Sequence, residues 1–463
     1  MVLRILNFIH RKGWKVTMKH RKRIIGIAAT ALAVITGYVL LITSGVMRRD
    51  GADLVPRLGE STASAEFLNA QKAAAYYREE VDAKPDVIKN YVQLAQLFLQ
   101  EARITGNHHV YVPKASALLD EALRRAPEDF EATIIKASML MTLHQFAEAR
   151  KLAEWAVAKN PHSAYARGVL VDALVESGAY DQAVASCDQL LALRPDLRSY
   201  ARASYLRELH GEMQGAAEAM KLAADAGVTG QENRAWALYN LGKLYFTVGK
   251  LDTAAFIFNG ILEERSTYAY AMSGLAQVAC ARGRNDEAIR LLTRAAELSP
   301  QHLFLEQLAD MYAATGETDA ANGTAGIVLR MYEQHERGGW NIDREYALFC
   351  ANHDMHLPDA LERARRDYER RPDNIDALDT YAWTLYKNGN PSEAARYSDA
   401  SLRLGTRNPM FFYHAGMIHY QLGQWQMASA LLEQATSMNP WFNPLYAESA
   451  QATMRSLRQL AAR

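Results

Sequence analysis

Three observations predict an all-α fold, a solenoid of about ten repeated helix pairs preceded by one transmembrane helix. Pro127, Pro161 and Pro195 are 34 residues apart; Ser266 and Pro300 keep that interval, as do Pro372, Thr406 and Pro440. Between these marks, small and large apolar residues return in the same order. Ahead of the periodic region, a basic segment runs into 24 residues, Ile24–Met47, without a charge.

The chain has 463 residues, 49% apolar and 22% charged, which is a globular balance far from that of a disordered chain. Lysine plus arginine equals aspartate plus glutamate, so no overall basic field exists to hold nucleic acid, and none is expected as a partner. Cys187, Cys280 and Cys350 are too few and too scattered for a disulfide framework.

Residues 1–23 carry Arg4, Arg11, Lys12, Lys15, Lys19, Arg21, Lys22 and Arg23 with no acid. As a helix, Ile24–Met47 would be about 36 Å long, enough to cross a hydrocarbon core of about 30 Å with some tilt. A cleaved signal peptide is the competing reading, but its apolar core would be shorter, and Thr43-Ser44-Gly45 makes a weak cleavage site. The absence of a cysteine after the span excludes a bacterial lipoprotein anchor. Initiation at Met18 would leave a shorter basic flank and the same conclusion. Positive charge before the span outweighs Arg48, Arg49 and Arg57 after it, so the amino terminus is expected in the cytoplasm. The rest is expected outside, in the periplasm if the source is bacterial.

Residues 48–64 are polar and aperiodic and read as a linker. A capping helix is expected over 65–85, the solenoid over 86–440 and a solvating terminal helix over 441–463. Two irregularities stand out: an insertion around His108 and His109 in the first unit, and 72 rather than 68 residues between Pro300 and Pro372.

The unit from Ala235 places Leu241-Gly242, Tyr245, Gly249, Leu251, Ala254 and Phe258 in a pattern that resembles the tetratricopeptide repeat (TPR) almost residue for residue. Leu275-Ala276, Gly283 and Ala288 repeat it, as do Leu174, Gly178, Tyr180 and Ala183. The resemblance implies a right-handed superhelix whose units cannot bury their apolar faces alone.

No P-loop, GxGxxG, HExxH or GxSxG is present, and no catalysis, cofactor or metal is expected. Cys350, His353 and His356 are the nearest approach to a ligand set, without a fourth member. Similarity to TPR proteins implies that first helices line a concave groove for a protein or peptide. Carried over, the groove presents Trp236, Tyr239, Asn240, Lys243, Phe246, Tyr270 and Gln277. Earlier units add Tyr165, Asp172, Arg202 and Arg207, and the last two add Trp383, Tyr386, Lys387, Tyr413, Met417 and Tyr420. Asn240 holds the place of an asparagine used by carboxylate-clamp TPRs, but Tyr270 and Gly274 stand where basic companions would be required.

The expected function is that of a membrane-anchored scaffold or adaptor for protein–protein interaction. Assembly of an envelope, secretion or polysaccharide-export complex is the expected setting, with the bilayer met through Ile24–Met47. The alternative is a cytosol-facing docking receptor or assembly regulator. A homo-oligomer is possible in either case.

Overall fold

The computed structural model describes residues 54–58 and 65–461. The basic flank and the expected membrane helix Ile24–Met47 lie outside the described residues. Among those described, no helix is long and apolar enough to cross a membrane.

Twenty-two helices follow one another. A leading helix α1 (Ala65–Ala83) precedes α2 (Ile88–Thr105) and α3 (His108–Arg125), then α4 (Phe130–Thr142) and α5 (Phe146–Lys159). Next come α6 (Ala164–Glu176), α7 (Tyr180–Leu193), α8 (Leu197–Leu209), α9 (Met213–Asp225), α10 (Glu232–Thr247) and α11 (Leu251–Glu264). Then follow α12 (Ala269–Ala281), α13 (Asn285–Leu298), α14 (His302–Ala314), α15 (Thr318–Arg337), α16 (Asp343–Asn352) and α17 (Leu357–Arg370). The last are α18 (Ile375–Lys387), α19 (Pro391–Ser401), α20 (Pro409–Gln421), α21 (Trp425–Met438) and the terminal α22 (Ala447–Ala461). Helices α2 to α21 form antiparallel pairs, each packed on the next, as the repeat spacing requires.

The pairs close on small residues. A Cβ at Gly242 on α10 would strike the ring of Phe258 on α11, and one at Gly274 on α12 would strike the same ring from the neighbouring pair. Phe258 is fully buried as a result. Side-chain oxygens of Asp129, Ser163, Asp196, Asn374 and Asn408 accept backbone amides at the starts of their helices, satisfying donors that an α-helix leaves open. In every pair the short turn between the helices passes through the left-handed region. Glycine holds that place in eight pairs, from Gly106 to Gly423, and His144 and Asp354 hold it in the other two.

The superhelix closes on itself. Contacts recur between residues 193 to 199 apart: Asn439 to Phe246, Arg371 to Glu176, His144 to Asn341 and Arg265 to Glu66. At 34 residues per repeat, such a period is about 5.7 repeats per superhelical turn. The described chain therefore makes two turns, and the second sits directly on the first.

One rule governs this seam. The short turn inside a first-turn pair meets the loop between pairs one superhelical turn later. Gly106 faces Ser299 and Gln301, Gly178 faces Asp373, Gly211 faces Gly405 and Gly249 faces Met438. At Gly178 both demands on glycine coincide: φ is +75°, and a Cβ would overlap the backbone of Asp373. His144 takes the place of glycine in its pair; its Nδ1 lies 3.1 Å from the Asn341 carbonyl, and the Asn341 amide donates to the Leu143 carbonyl at 3.0 Å.

Several expectations need revision here. Residues 54–58, inside the expected linker, are packed at the seam. Leu54 is buried, the Val55 amide donates to the Tyr111 hydroxyl, and the Arg57 guanidinium holds the Glu101 carboxylate through two bonds of 2.7 and 3.2 Å. His108 and His109, expected within an insertion, instead open α3 and are half-buried. No inserted loop exists between α2 and α3; the extra residues lengthen the two helices to 18 each. The four extra residues before Pro372 lengthen α15 to 20 residues. They also set Trp340 and Ile342 into the seam, where both are buried. The terminal helix is more than a solvating cover, since Ala450 and Leu457 are buried in the last apolar cluster.

Candidate binding surface on the first helices

The resemblance to tetratricopeptide repeats implies that the groove lies on the first helices of successive pairs, and residues at i, i+4 and i+7 on one helix share a face. On α10 these are Trp236, Asn240 and Lys243. Trp236 is 38% exposed; the Asn240 amide donates back to the Trp236 carbonyl at 2.9 Å. Lys243 is exposed, with its ammonium 5.7 Å from the centre of the Tyr239 ring.

One pair earlier, α8 adds two residues that the sequence reading missed, Tyr205 and Glu208. Tyr205 is 39% exposed, yet protein surrounds it closely enough that burial pushes its phenol well above 10, helped by the carboxylates of Asp376, Glu176 and Glu208. Asp376 belongs to α18 in the second turn. Burial also raises the carboxyl of Glu208, with Lys243 opposing the shift. Burial raises Glu176 as well, while Arg371 pulls it down. The only sequence cue to Tyr205 and Glu208 was their i, i+3 placement on a first helix, which Arg202 and Arg207 overshadowed.

The remaining predicted residues divide by what they touch. Tyr239, Phe246, Trp383 and Tyr413 are buried between helices and offer no surface. Tyr239 packs against Phe258 and Tyr270, with ring centres 6.0 and 5.2 Å away. Trp383 stacks on Tyr386 and His414 and donates its indole N–H to Asn352. Tyr413 stacks on Tyr446, just ahead of α22, and donates to Ser449. Tight curvature is the reason: neighbouring first helices approach so closely that large side chains on their shared side meet one another. Tyr270 is spent on Gln301, Arg202 on Asp172 and the Gly168 carbonyl, and Lys387 on Asp354. Arg207 turns away to the Gly215 carbonyl beside α9. Tyr165 is half-buried, with the Arg198 guanidinium over its ring. Gln277, Met417 and Tyr420 are half-buried, and Thr453 and Trp425 lie against the last two.

Two other groupings resemble sites. Among the described residues no set of three or more His, Cys, Asp or Glu side chains could hold a metal. Cys350 is buried and His353 is bonded to Asp310, while His356 points outward. A cavity of about 660 Å³ opens at the seam beside Phe146 and Trp340. Its charged lining is already paired internally: Arg366 and Arg370 hold Asp343, and Arg371 holds Asp367 and Glu176.

Sequence comparison agrees with this architecture. One tetratricopeptide-repeat family model matches residues 140–209 and 245–303, and a second matches 381–444. The chain carries tetratricopeptide repeats. Comparison with curated proteins finds no match. Among solved structures, the chain is similar to the human IFIT1 dimer with PPP-AAAA (13% identity, 80% of this chain and 87% of that one, TM-score 0.43). It is also similar to yeast Tom70 (14% identity, 86% and 94%, TM-score 0.34). A tetratricopeptide repeat protein from Parabacteroides merdae ATCC 43184 matches with 14% identity over 57% of this chain and 98% of its own, at TM-score 0.34. The TPR array thus presents one part-open, mixed aromatic and acidic surface on α8 and α10, with the later first helices filled by their own packing.

Proposed function

We propose that this TPR protein is a non-catalytic scaffold, tethered to a membrane by Ile24–Met47, that grips an extended segment of a partner protein along α8 and α10. The observation that carries the reading is that Tyr205 on α8 and Trp236 and Lys243 on α10 are exposed on neighbouring first helices, where Tyr239, Phe246, Trp383 and Tyr413 are buried. Aromatic residues in partly enclosed surroundings supply most hot-spot energy in protein interfaces. Arg371 holds Glu176 and Arg344 holds Asp376, which leaves Glu208 as the carboxylate beside Lys243, so a segment that combines an apolar side chain with one lysine or arginine fits best. The basic flank supports a cytoplasmic amino terminus with repeats outside, periplasmic in a bacterium, and work in assembling an envelope, secretion or export complex.

Two measurements test this. A photo-crosslinking residue at Trp236 in the full chain should capture a partner that the same probe at Phe256, exposed on the second helix of that pair, does not. Equal capture at both sites would remove the groove from the reading. Alkaline phosphatase fused after Arg463 should be active; an inactive fusion, with a cytoplasm-maturing fluorescent protein bright at the same place, would reverse the orientation and favour a cytosolic docking receptor.

A further inference from the structure

The seam between the two turns has two halves, and each half also occurs once without a mate. First-turn pairs present their internal turns to the second turn. Second-turn pairs present the same kind of turn to solvent: a Cβ at Gly283, Gly316 or Gly389 would meet nothing within 4 Å. At the opposite end, the loops between first-turn pairs are exposed at Pro85, Pro127, Pro161 and Pro195. Their second-turn counterparts place Ser299, Asn374, Thr406 and Asn439 in buried positions at the seam. The superhelix thus ends in two ledges that are complementary in kind.

One side chain makes the correspondence chemical. Asn439, just before Pro440, is 1% exposed and donates its amide to the Phe246 carbonyl at 2.8 Å. That carbonyl, three residues before Gly249, also accepts the Gly249 amide, so both of its lone pairs are engaged. On the exposed loop ledge the same dipeptide recurs as Asn160-Pro161, with Asn160 open to solvent. The Asn160 oxygen accepts the His162 amide, which leaves the side-chain N–H groups pointing outward as donors. On the exposed turn ledge, the carbonyls of Ala313, Tyr386 and Tyr420 stand where Phe246 stands, and each accepts the amide of its own glycine.

We propose that a second copy of this chain occupies each ledge, stacking head to tail so that its first-turn loops continue the seam on the second-turn ledge below. Asn160 of one copy would then do for the next copy what Asn439 does within the chain. A contact of this type joins two different surfaces and does not close, so it builds linear stacks rather than a symmetric dimer. The first described residues, from Leu54, lie at the seam rather than on either ledge.

The test uses full-length protein in detergent and sedimentation velocity over a concentration series. Wild type should form species that lengthen with concentration. Asn160→Asp keeps the acceptor for His162 and removes the donor, and should weaken self-association about tenfold, the scale of one hydrogen bond to a neutral group. Asn160→Arg blocks the loop ledge and Ala314→Arg blocks the turn ledge, so each alone should be monomeric, with melting temperatures close to wild type. Mixed, the two should give a dimer and nothing longer, because one intact ledge of each remains. A wild type that stays monomeric to its solubility limit would overturn the proposal. So would a dimer that both ledge variants leave intact, or two blocked variants that fail to pair when mixed.

Discussion

The amide of Asn439 donates to the carbonyl of Phe246, 193 residues earlier in the chain and one superhelical turn away. Asn374 makes the corresponding contact to the carbonyls of Val175 and Glu176, at 3.3 Å each. Both asparagines are 1% exposed, so the seam is a solvent-excluded interface rather than a chance approach of two edges.

Truncating these residues should therefore cost stability while leaving each helix pair intact. Asn439→Ala is expected to lose about 1–2 kcal/mol, because a buried bond is lost and a carbonyl is left short of one donor; Asn374→Ala should lose more, since its side chain also caps the start of α18. Urea denaturation of each variant against wild type checks this, and a change below a few tenths of a kcal/mol would remove the seam from the stability of the fold.

Two glycines with the same backbone conformation separate strain from contact. Gly178 and Gly283 have φ of +75° and +73°, but only Gly178 faces another backbone. Gly283→Ala should cost about 1–2 kcal/mol, the penalty of a left-handed alanine. Gly178→Ala should cost several times that, since the methyl would have to push Asp373 aside. Equal losses in thermal melts would mean that the turns separate easily.

On the first helices, exposure predicts which variants act on binding and which on folding. Trp236→Ala is expected to cost no more than about 1–2 kcal/mol, whereas Phe258→Ala, buried between Gly242 and Gly274, should cost about 3–5 kcal/mol. Parallel denaturation curves decide it. Glu208→Gln should also weaken capture of a basic partner segment without lowering the melting temperature, and unchanged capture would discard the charge component of the groove.

Acid should loosen the seam through two of its histidines, His108 and His335. Burial pushes His108 down to about 4 and His335 to about 3, with neighbouring histidines adding to both shifts. The folded state therefore resists protons that the unfolded chain accepts below about 6.5, and stability falls as pH drops from that value toward 4. His302 works the other way: burial lowers it, but Glu306 raises it further, so its stabilisation is present at low pH and fades as pH rises. The double variant His108→Gln, His335→Gln should melt with a flatter pH dependence than wild type between pH 6.5 and 4. Identical slopes would exclude these two residues as the acid-sensitive groups.

What could be read from sequence and what could not follows from distance along the chain. The glycine at the internal turn, the proline after the second helix and the small residues opposite Phe258 are local demands of one helix pair and its neighbour. A 34-residue period displays them directly. The seam joins residues nearly 200 apart, and Asn374 or Asn439 alone reads as an ordinary loop asparagine. The misplaced groove residues are lost to nearer neighbours, Tyr239 to Tyr270 and Trp383 to His414. Whether Tyr239 or Trp383 faces solvent depends on how sharply successive first helices converge, which no single repeat specifies. Tyr205 was overlooked because nothing within its own unit distinguishes an aromatic facing a hollow from one filling a core.

The strap at residues 54–58 and the five contacts of the seam also change how this solenoid must come apart. In an open array each unit answers only to its neighbours, so stability is a sum and fraying proceeds from the ends. Here removal of the last pairs would strip the partners of Phe246, Glu176 and Gly211 in the first half of the chain. Closing loops of nearly 200 residues also adds contacts that form late in folding. Mechanical pulling from both termini should accordingly show one large force event that opens the stacked turns, followed by the low sawtooth of single repeats.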